Sequence, residues 1–218
     1  MLCKGCSRDV ILILISSFFY MACPMVVTPL ITGYSGSLGA SAAVMGIIGG
    51  LTNICSLLCR PLVGNLADRV SKYRLSFVGA VLVTAACVGY IAAENPLVVI
   101  VSRIVNGVGF ACCSVCMSTW MSNMLPKEKI GSGMGLYGAM NALAMAIAPA
   151  VGVSVYQKFG YRAALVIAAY VGLDLGMALG PVVGGVLYGY FPIEYFYPIL
   201  AVTVPLIILV YWLNRRRL

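Results

Sequence analysis

The sequence has 218 residues, of which 62% are apolar and only 9% charged, with 14 Lys and Arg against 6 Asp and Glu and no histidine. Soluble domains carry about 25% charged and about 45–50% apolar residues, because their surfaces face water. The composition therefore excludes a water-soluble globule, and the lack of histidine excludes Ser–His catalysis and histidine metal clusters.

A helix needs about 20 apolar residues to cross the hydrocarbon core of a bilayer. Seven segments meet that length, in the order Val10–Ile31, Ala40–Leu66, Leu75–Ala93, Leu97–Leu125, Ile130–Tyr156, Ala163–Phe191 and Tyr195–Leu213. Runs this long without alternation are not barrel strands. The fold class expected is an all-α membrane protein, a polytopic bundle of about seven transmembrane helices. Lys4 and Arg8 precede the first apolar run as they would in a signal peptide, but the run has 22 residues and further spans follow, so it reads as an uncleaved first helix.

The net charge of +8 sits mostly in short connections. There it bears on topology and anionic lipid, not on nucleic acid. Lys4, Arg8, Arg69, Lys72, Arg74, Lys127 and Lys129 mark the N-terminus and the connections after the second and fourth spans as cytoplasmic. Lys158, Arg162 and the run Arg215–Arg217 would then fall outside, against the same rule. The nine cysteines are odd in number and scattered through apolar runs, so they read as small apolar residues rather than a disulfide or zinc framework. No P-loop is present, and no cofactor or metal is expected.

Three motifs stand out. Gly64-Asn65-Leu66-Ala67-Asp68-Arg69-Val70-Ser71-Lys72-Tyr73-Arg74 follows the second span. Its carboxylate at a helix end can pair with nearby Arg or Lys and with another helix's N-terminus. Arg103, Gly107 and Gly109 form R-x-x-x-G-x-G in the fourth span. An arginine at that depth should face the bundle interior or a wet cavity, or else snorkel to the nearer interface. The third motif occurs twice, 32 residues apart (144 to 176): Ala144, Ala148, Pro149, Gly152, and then Gly176, Gly180, Pro181, Gly184. Small residues every four positions favour close helix packing, and proline favours a kink. Asp174 is an acid within an apolar run, while Asn53, Asn106 and Asn141 could line a cavity or bond between helices.

Together these motifs resemble the major facilitator superfamily, especially its drug–proton antiporters. The family pattern of the first motif is met at Gly64, Leu66, Asp68, Arg69, Lys72 and Arg74, with Ser71 in place of the usual glycine. The resemblance implies a gating role for that loop, a proton-coupling role for Arg103 with Asp174 as a second candidate, and a small-molecule substrate moved by alternating access, as efflux. It also implies a multi-pass protein of a bacterial inner membrane. Residues 1–169 resemble family helices 1–5 and the start of 6, and residues 170–218 resemble helices 11 and 12. An internal deletion of most of helices 6–10 is the reading this suggests. Such a chain would need a second copy, packed as a homodimer through its glycine faces, or would be a non-transporting remnant or partner subunit of a membrane complex.

Overall fold

The computed structural model describes residues 8–187, with the backbone alone at 8, 9, 12, 73 and 172–187. The chain falls into two compact units, Met1–Leu179 and Gly180–Leu218. The expected span Tyr195–Leu213, the run Arg215–Arg217, and Cys3, Lys4 and Cys6 lie outside the described residues.

The described chain is helical, in the order α1 (Arg8–Ser37), α2 (Ala42–Arg69), α3 (Lys72–Ile91), α4 (Pro96–Met124) and α5 (Ile130–Leu187), with one 3-10 turn at Lys127–Lys129. Five of these stretches are long and apolar enough to cross a membrane. The starts are set by local chemistry. Ser41 Oγ accepts the Val44 N–H at 3.5 Å, and Asn95 Oδ1 accepts the Val98 N–H at 3.1 Å with Pro96 in the first turn. Side-chain acceptors there satisfy amides that the helix leaves open, and proline loses nothing at that position. Helix α1 holds Pro24 and Pro29, which membrane helices tolerate when hydroxyls and neighbouring helices re-satisfy the backbone.

The contacts give the directions of the helices. Gly36 meets Met45 and Gly49 meets Thr32, so α1 and α2 run antiparallel. Gly79 meets Cys112 while Gly89 meets Ser102, so α3 and α4 are also antiparallel. Thr52 bonds Arg103 and Gly107 abuts Cys55, so α2 and α4 run parallel. Helix α4 is the centre: it packs on α1, α2 and α3 and buries most of its circumference, leaving a stripe through Leu97, Val101 and Ile104 exposed. An apolar helix without a polar face belongs at such a position.

Helix α5 is not one straight rod. Gly160 has φ 81° and ψ 178°, the single non-helical backbone inside it. The first arm meets α1 at Tyr137–Tyr20 and then at Gly152–Val26, so it runs parallel to α1. The second arm meets Gly33 through Tyr161 and then bonds Cys23 through the Ala168 carbonyl, so it runs antiparallel. The chain therefore reverses at Gly160. Tyr156 and Tyr161 bracket the reversal with stacked rings 4.2 Å apart. The fifth and sixth expected segments are these two arms, and the tyrosines close the turn between them. The backbone pair at Gly160 is open almost solely to glycine, and a side chain there costs ~1–3 kcal/mol. Gly160→Ala should lower the thermal unfolding temperature in detergent, although its Cβ would meet nothing within 4 Å.

Candidate functional site

Arg103 occupies the α2–α4 contact. It is 1% exposed and is the largest fully buried side chain among the described residues. Its Nε donates to the Ile48 carbonyl at 3.0 Å and its Nη2 to the Gly49 carbonyl at 2.9 Å. In return Thr52 Oγ1 donates to the Arg103 carbonyl at 3.2 Å. The guanidinium thus faces the bundle interior and does not snorkel. Carbonyl dipoles take up part of a charge that hydrocarbon would reject.

The glycines that follow explain why the helices come so close. A Cβ on Gly107 would lie 2.7 Å from Cys55 Cβ and 2.8 Å from the Thr52 carbonyl, on the α2 side. A Cβ on Gly109 would lie 2.7 Å from the Gly79 carbonyl and 2.9 Å from Val83 N, on the α3 side. Two residues along a helix turn through about 200°. The G-x-G spacing therefore frees opposite faces of α4 for two neighbours at once. Gly152 does the same for α5, since a Cβ there would lie 2.6 Å from the Val26 carbonyl of α1. Pro149 lies one turn earlier and is half-buried.

A buried polar layer joins α1 to α5 beside α4. Tyr20 Oη and Tyr137 Oη are 3.0 Å apart and join α1 to α5. The Tyr20 ring lies 5.7 Å from that of Phe110 on α4. Asn141, one turn beyond Tyr137, borders both hydroxyls, and its Oδ1 is buried with no hydrogen-bond partner. Asn106 is 1% exposed, and its Oδ1 is likewise unpartnered. A buried orphan acceptor is costly unless something supplies a donor. Asn53 stands apart from this layer, exposed on α2.

Two features escaped the sequence reading. The tyrosines are 117 residues apart, so no spacing connects them. Arg60, exposed on α2, was legible in principle: like Arg103, it is a charge inside an apolar run.

The loop motif forms a tight corner. Gly64, Leu66, Asp68 and Arg69 end α2, Lys72 and Arg74 open α3, and Val70 and Ser71 alone separate the helices. Val63, Ala67 and Leu75 of this corner bury against Ala111, Cys112 and Cys116 of α4. Asp68, Arg69 and Arg74 point outward, exposed, and Asp68 makes no ion pair among the described residues. Asp174, Gly176, Gly180, Pro181 and Gly184 fall in the second arm of α5, where the structure describes the backbone only. The structure thus gathers Arg103, Asn106, Gly107 and Gly109 on α4, sets Asn141 beside the Tyr20–Tyr137 pair, and leaves the loop motif at one end of the bundle.

Residues 13–173 match the model of the Major Facilitator Superfamily, well over half of the 218-residue chain. The chain belongs to that superfamily. Among curated relatives, a multi-drug resistance efflux pump PmrA homolog of Lactococcus lactis is 23% identical over 158 residues, which cover 71% of this chain and 39% of the relative. An uncharacterized MFS-type transporter of Methanocaldococcus jannaschii, MJ1560, is 22% identical over 166 residues, covering 76% of this chain and 43% of the relative. The crystal structure of a peptide transporter POT (E310Q mutant) in complex with sulfate superposes with a TM-score of 0.73 at 19% identity, covering 95% of this chain and 52% of that one. The human organic anion transporter MFSD10 (TETRAN) gives 0.63 at 16% identity, covering 79% and 47%. This superfamily member is an integral, multi-pass helical membrane protein with a partial major facilitator fold. It spans less than half the length of the curated relatives it matches.

Proposed function

We propose that this chain supplies one bundle of a proton-coupled transporter that exports a small amphipathic molecule by alternating access. The observation that carries this reading is the interior polar layer. Arg103, Asn106, Tyr20, Tyr137 and Asn141 place a buried cation, two hydroxyls and two orphan amide oxygens inside helices otherwise built for lipid. Polar groups at that depth are expensive and mark substrate or ion pathways by default. The printed name of the Lactococcus relative, an efflux pump homolog, supports the direction.

In this reading Arg103 serves coupled proton movement, with Asp174 as a second candidate. The corner Gly64–Arg74 biases one of two conformations, and the glycine-proline motifs of α5 provide the packing face. The N-terminus is cytoplasmic. Residues 1–169 act as the first bundle, and residues 170–218 resemble the end of the second. Alternating access rocks one bundle against another around a midplane site, so the working unit includes a second bundle, here a second copy of the chain.

The test is flux in liposomes reconstituted densely enough for copies to pair. An imposed proton gradient should drive export of an amphipathic fluorescent dye well above empty liposomes. Flux equal to empty liposomes would overturn the proposal.

A further inference from the structure

Helices α2 and α5 bury only 17% of their most apolar stretches, whereas α1, α3 and α4 bury 61%, 50% and 56%. The uncovered face of α2 is not built for lipid. Gly46, Gly50, Asn53, Leu57, Arg60 and Gly64 follow one another at steps of three and four, so they form one seam along the helix. Every one of them is exposed or half-buried. A Cβ on Gly46 or Gly64 would meet nothing within 4 Å. Asn53 and Arg60 stand well inside the helix, at a depth where hydrocarbon rejects an amide and a guanidinium.

The first arm of α5 carries a matching seam of small residues: Gly131, Gly135, Gly138, Ala142, Ala146 and Pro149. All are exposed except the half-buried Pro149, and a Cβ on any of the three glycines would meet nothing within 4 Å. Since α1 runs antiparallel to α2 and parallel to this arm, α2 and the arm run in opposite directions, with Arg69 and Ile130 at the same end. Laid side by side with those ends level, the two seams mesh at each step. Gly64 meets Gly135, Leu57 meets Ala142, Asn53 meets Ala146 and Gly50 meets Pro149. Arg60 falls between Gly138 and Ala142, where bare backbone offers carbonyls of the kind Arg103 uses at Gly49. Asp68, one turn beyond Gly64 and without an ion pair among the described residues, falls beside Gly131, within a turn of Lys127 and Lys129. Glu128 lies between the lysines and leaves that turn net positive, while Arg69 is turned about 100° away from Asp68. The exposure of both seams shows that they do not cover each other within one copy.

Resting on the reading above, in which a second copy completes the working unit, we infer that two copies pair with α2 of each seated on the first arm of α5 of the other. A two-fold axis along the bilayer normal keeps every helix direction and forms both contacts at once, so the pair closes and does not polymerise. Small residues let the two backbones approach, and an amide bonds across helices in lipid. The opposite charges of Asp68 and the Lys127–Lys129 turn fix the register at one end. Room for such a partner is consistent with the comparisons: this chain covers 52% of the superposed peptide transporter and 47% of MFSD10, so each holds about as much chain again.

Photo-cross-linking of the full chain in liposomes tests this, with a diazirine analogue of leucine at position 57 or 58 and copies of light and heavy isotope mixed. Leu57 and Leu58 are 68% and 67% exposed, so a lone copy would present both to lipid alike. Only Leu57 lies on the seam. Position 57 should give a dimer whose mixed-isotope cross-link maps near Ala142, and position 58 should give lipid adducts. Asp68→Lys should weaken pairing about fivefold, and adding Lys127→Asp and Lys129→Asp should restore it. Ala142→Trp should yield a folded monomer, since the position is exposed in its own copy. If the variants misfold, the contrast between positions 57 and 58 decides alone. Equal dimer yields from 57 and 58, no dimer from 57, or cross-links from 57 confined to its own copy would each overturn the inference. Cross-linking needs neither substrate nor gradient. A mapped dimer that moves no dye therefore counts against the transport reading alone, and dye export by copies that cross-link elsewhere counts against this interface alone.

Discussion

Gly109→Leu is expected to abolish assembly of the bundle, leaving no monodisperse protein after detergent extraction. The position lies where two backbones meet. A Cβ on Gly109 would fall 2.7 Å from the Gly79 carbonyl, and a Cβ on Gly79 would fall 2.9 Å from the Gly109 carbonyl. Neither neighbour is the far end of a flexible side chain, so relief requires α3 and α4 to separate. Overpacking of a tight core costs about 1–3 kcal/mol for a few added atoms and more when backbone must shift. Gly109→Ala should therefore fold with a lowered unfolding temperature, and Gly109→Leu should not fold. A control, Gly135→Leu, sits where a Cβ meets nothing within 4 Å and should extract normally. Extraction of Gly109→Leu at wild-type yield and stability would refute the close α3–α4 contact.

Arg103→Met is expected to separate stability from function. Replacing a buried charged group by an apolar one of similar volume is often neutral or stabilising, provided no partner is orphaned. Here the Ile48 and Gly49 carbonyls lie inside α2 and keep their own helical hydrogen bonds when the guanidinium is gone, and the Tyr90 hydroxyl, which also meets Arg103, keeps its bond to the Ser102 carbonyl. The unfolding temperature should stay within a few degrees or rise. Gradient-driven flux should fall by about two orders of magnitude, the scale on which displaced or missing catalytic groups act. Arg103→Lys should keep the charge but not the fork, since one ammonium cannot reproduce the spread of Nε and Nη2 over two carbonyls, so flux should be partial. A cooperative collapse of Arg103→Met, with flux per folded molecule unchanged, would make the arginine a structural tie alone.

Much of the fold was legible because lipid imposes one simple demand, a long apolar run for each crossing. The runs at Leu75–Ala93 and Leu97–Leu125 match α3 and α4 to within three residues. Helix α1 overshoots the expected Ile31 and reaches Ser37, because Thr32, Ser35 and Ser37 are polar enough to end an apolar count without ending a helix. Hydroxyls of Ser35 and Ser37 fold back onto the Thr32 and Tyr34 carbonyls, so the last turns satisfy themselves. The reversal at Gly160 was implied by the break between Ile130–Tyr156 and Ala163–Phe191, yet its geometry needed a positive φ that composition does not reveal.

The site was legible only in part. Arg103 announced itself as a charge in a hydrophobic run, and its glycines as a spacing. What they pack against depends on which helices lie next to α4, and no residue count supplies that. Tyr20 and Tyr137 looked like ordinary aromatic residues of membrane helices until the fold set their hydroxyls together. Asn53 and Asn106 look alike in sequence, but one is exposed on α2 and the other buried on α4.

The reciprocal seating of Gly79 and Gly109 reaches beyond stability. Two backbones locked carbonyl to glycine cannot slide by half a turn without collision, so α3 and α4 must travel as one body through any transport cycle. Spin labels on their outer faces should hold a single separation whichever side the protein opens to, leaving the remaining helices to carry the stroke.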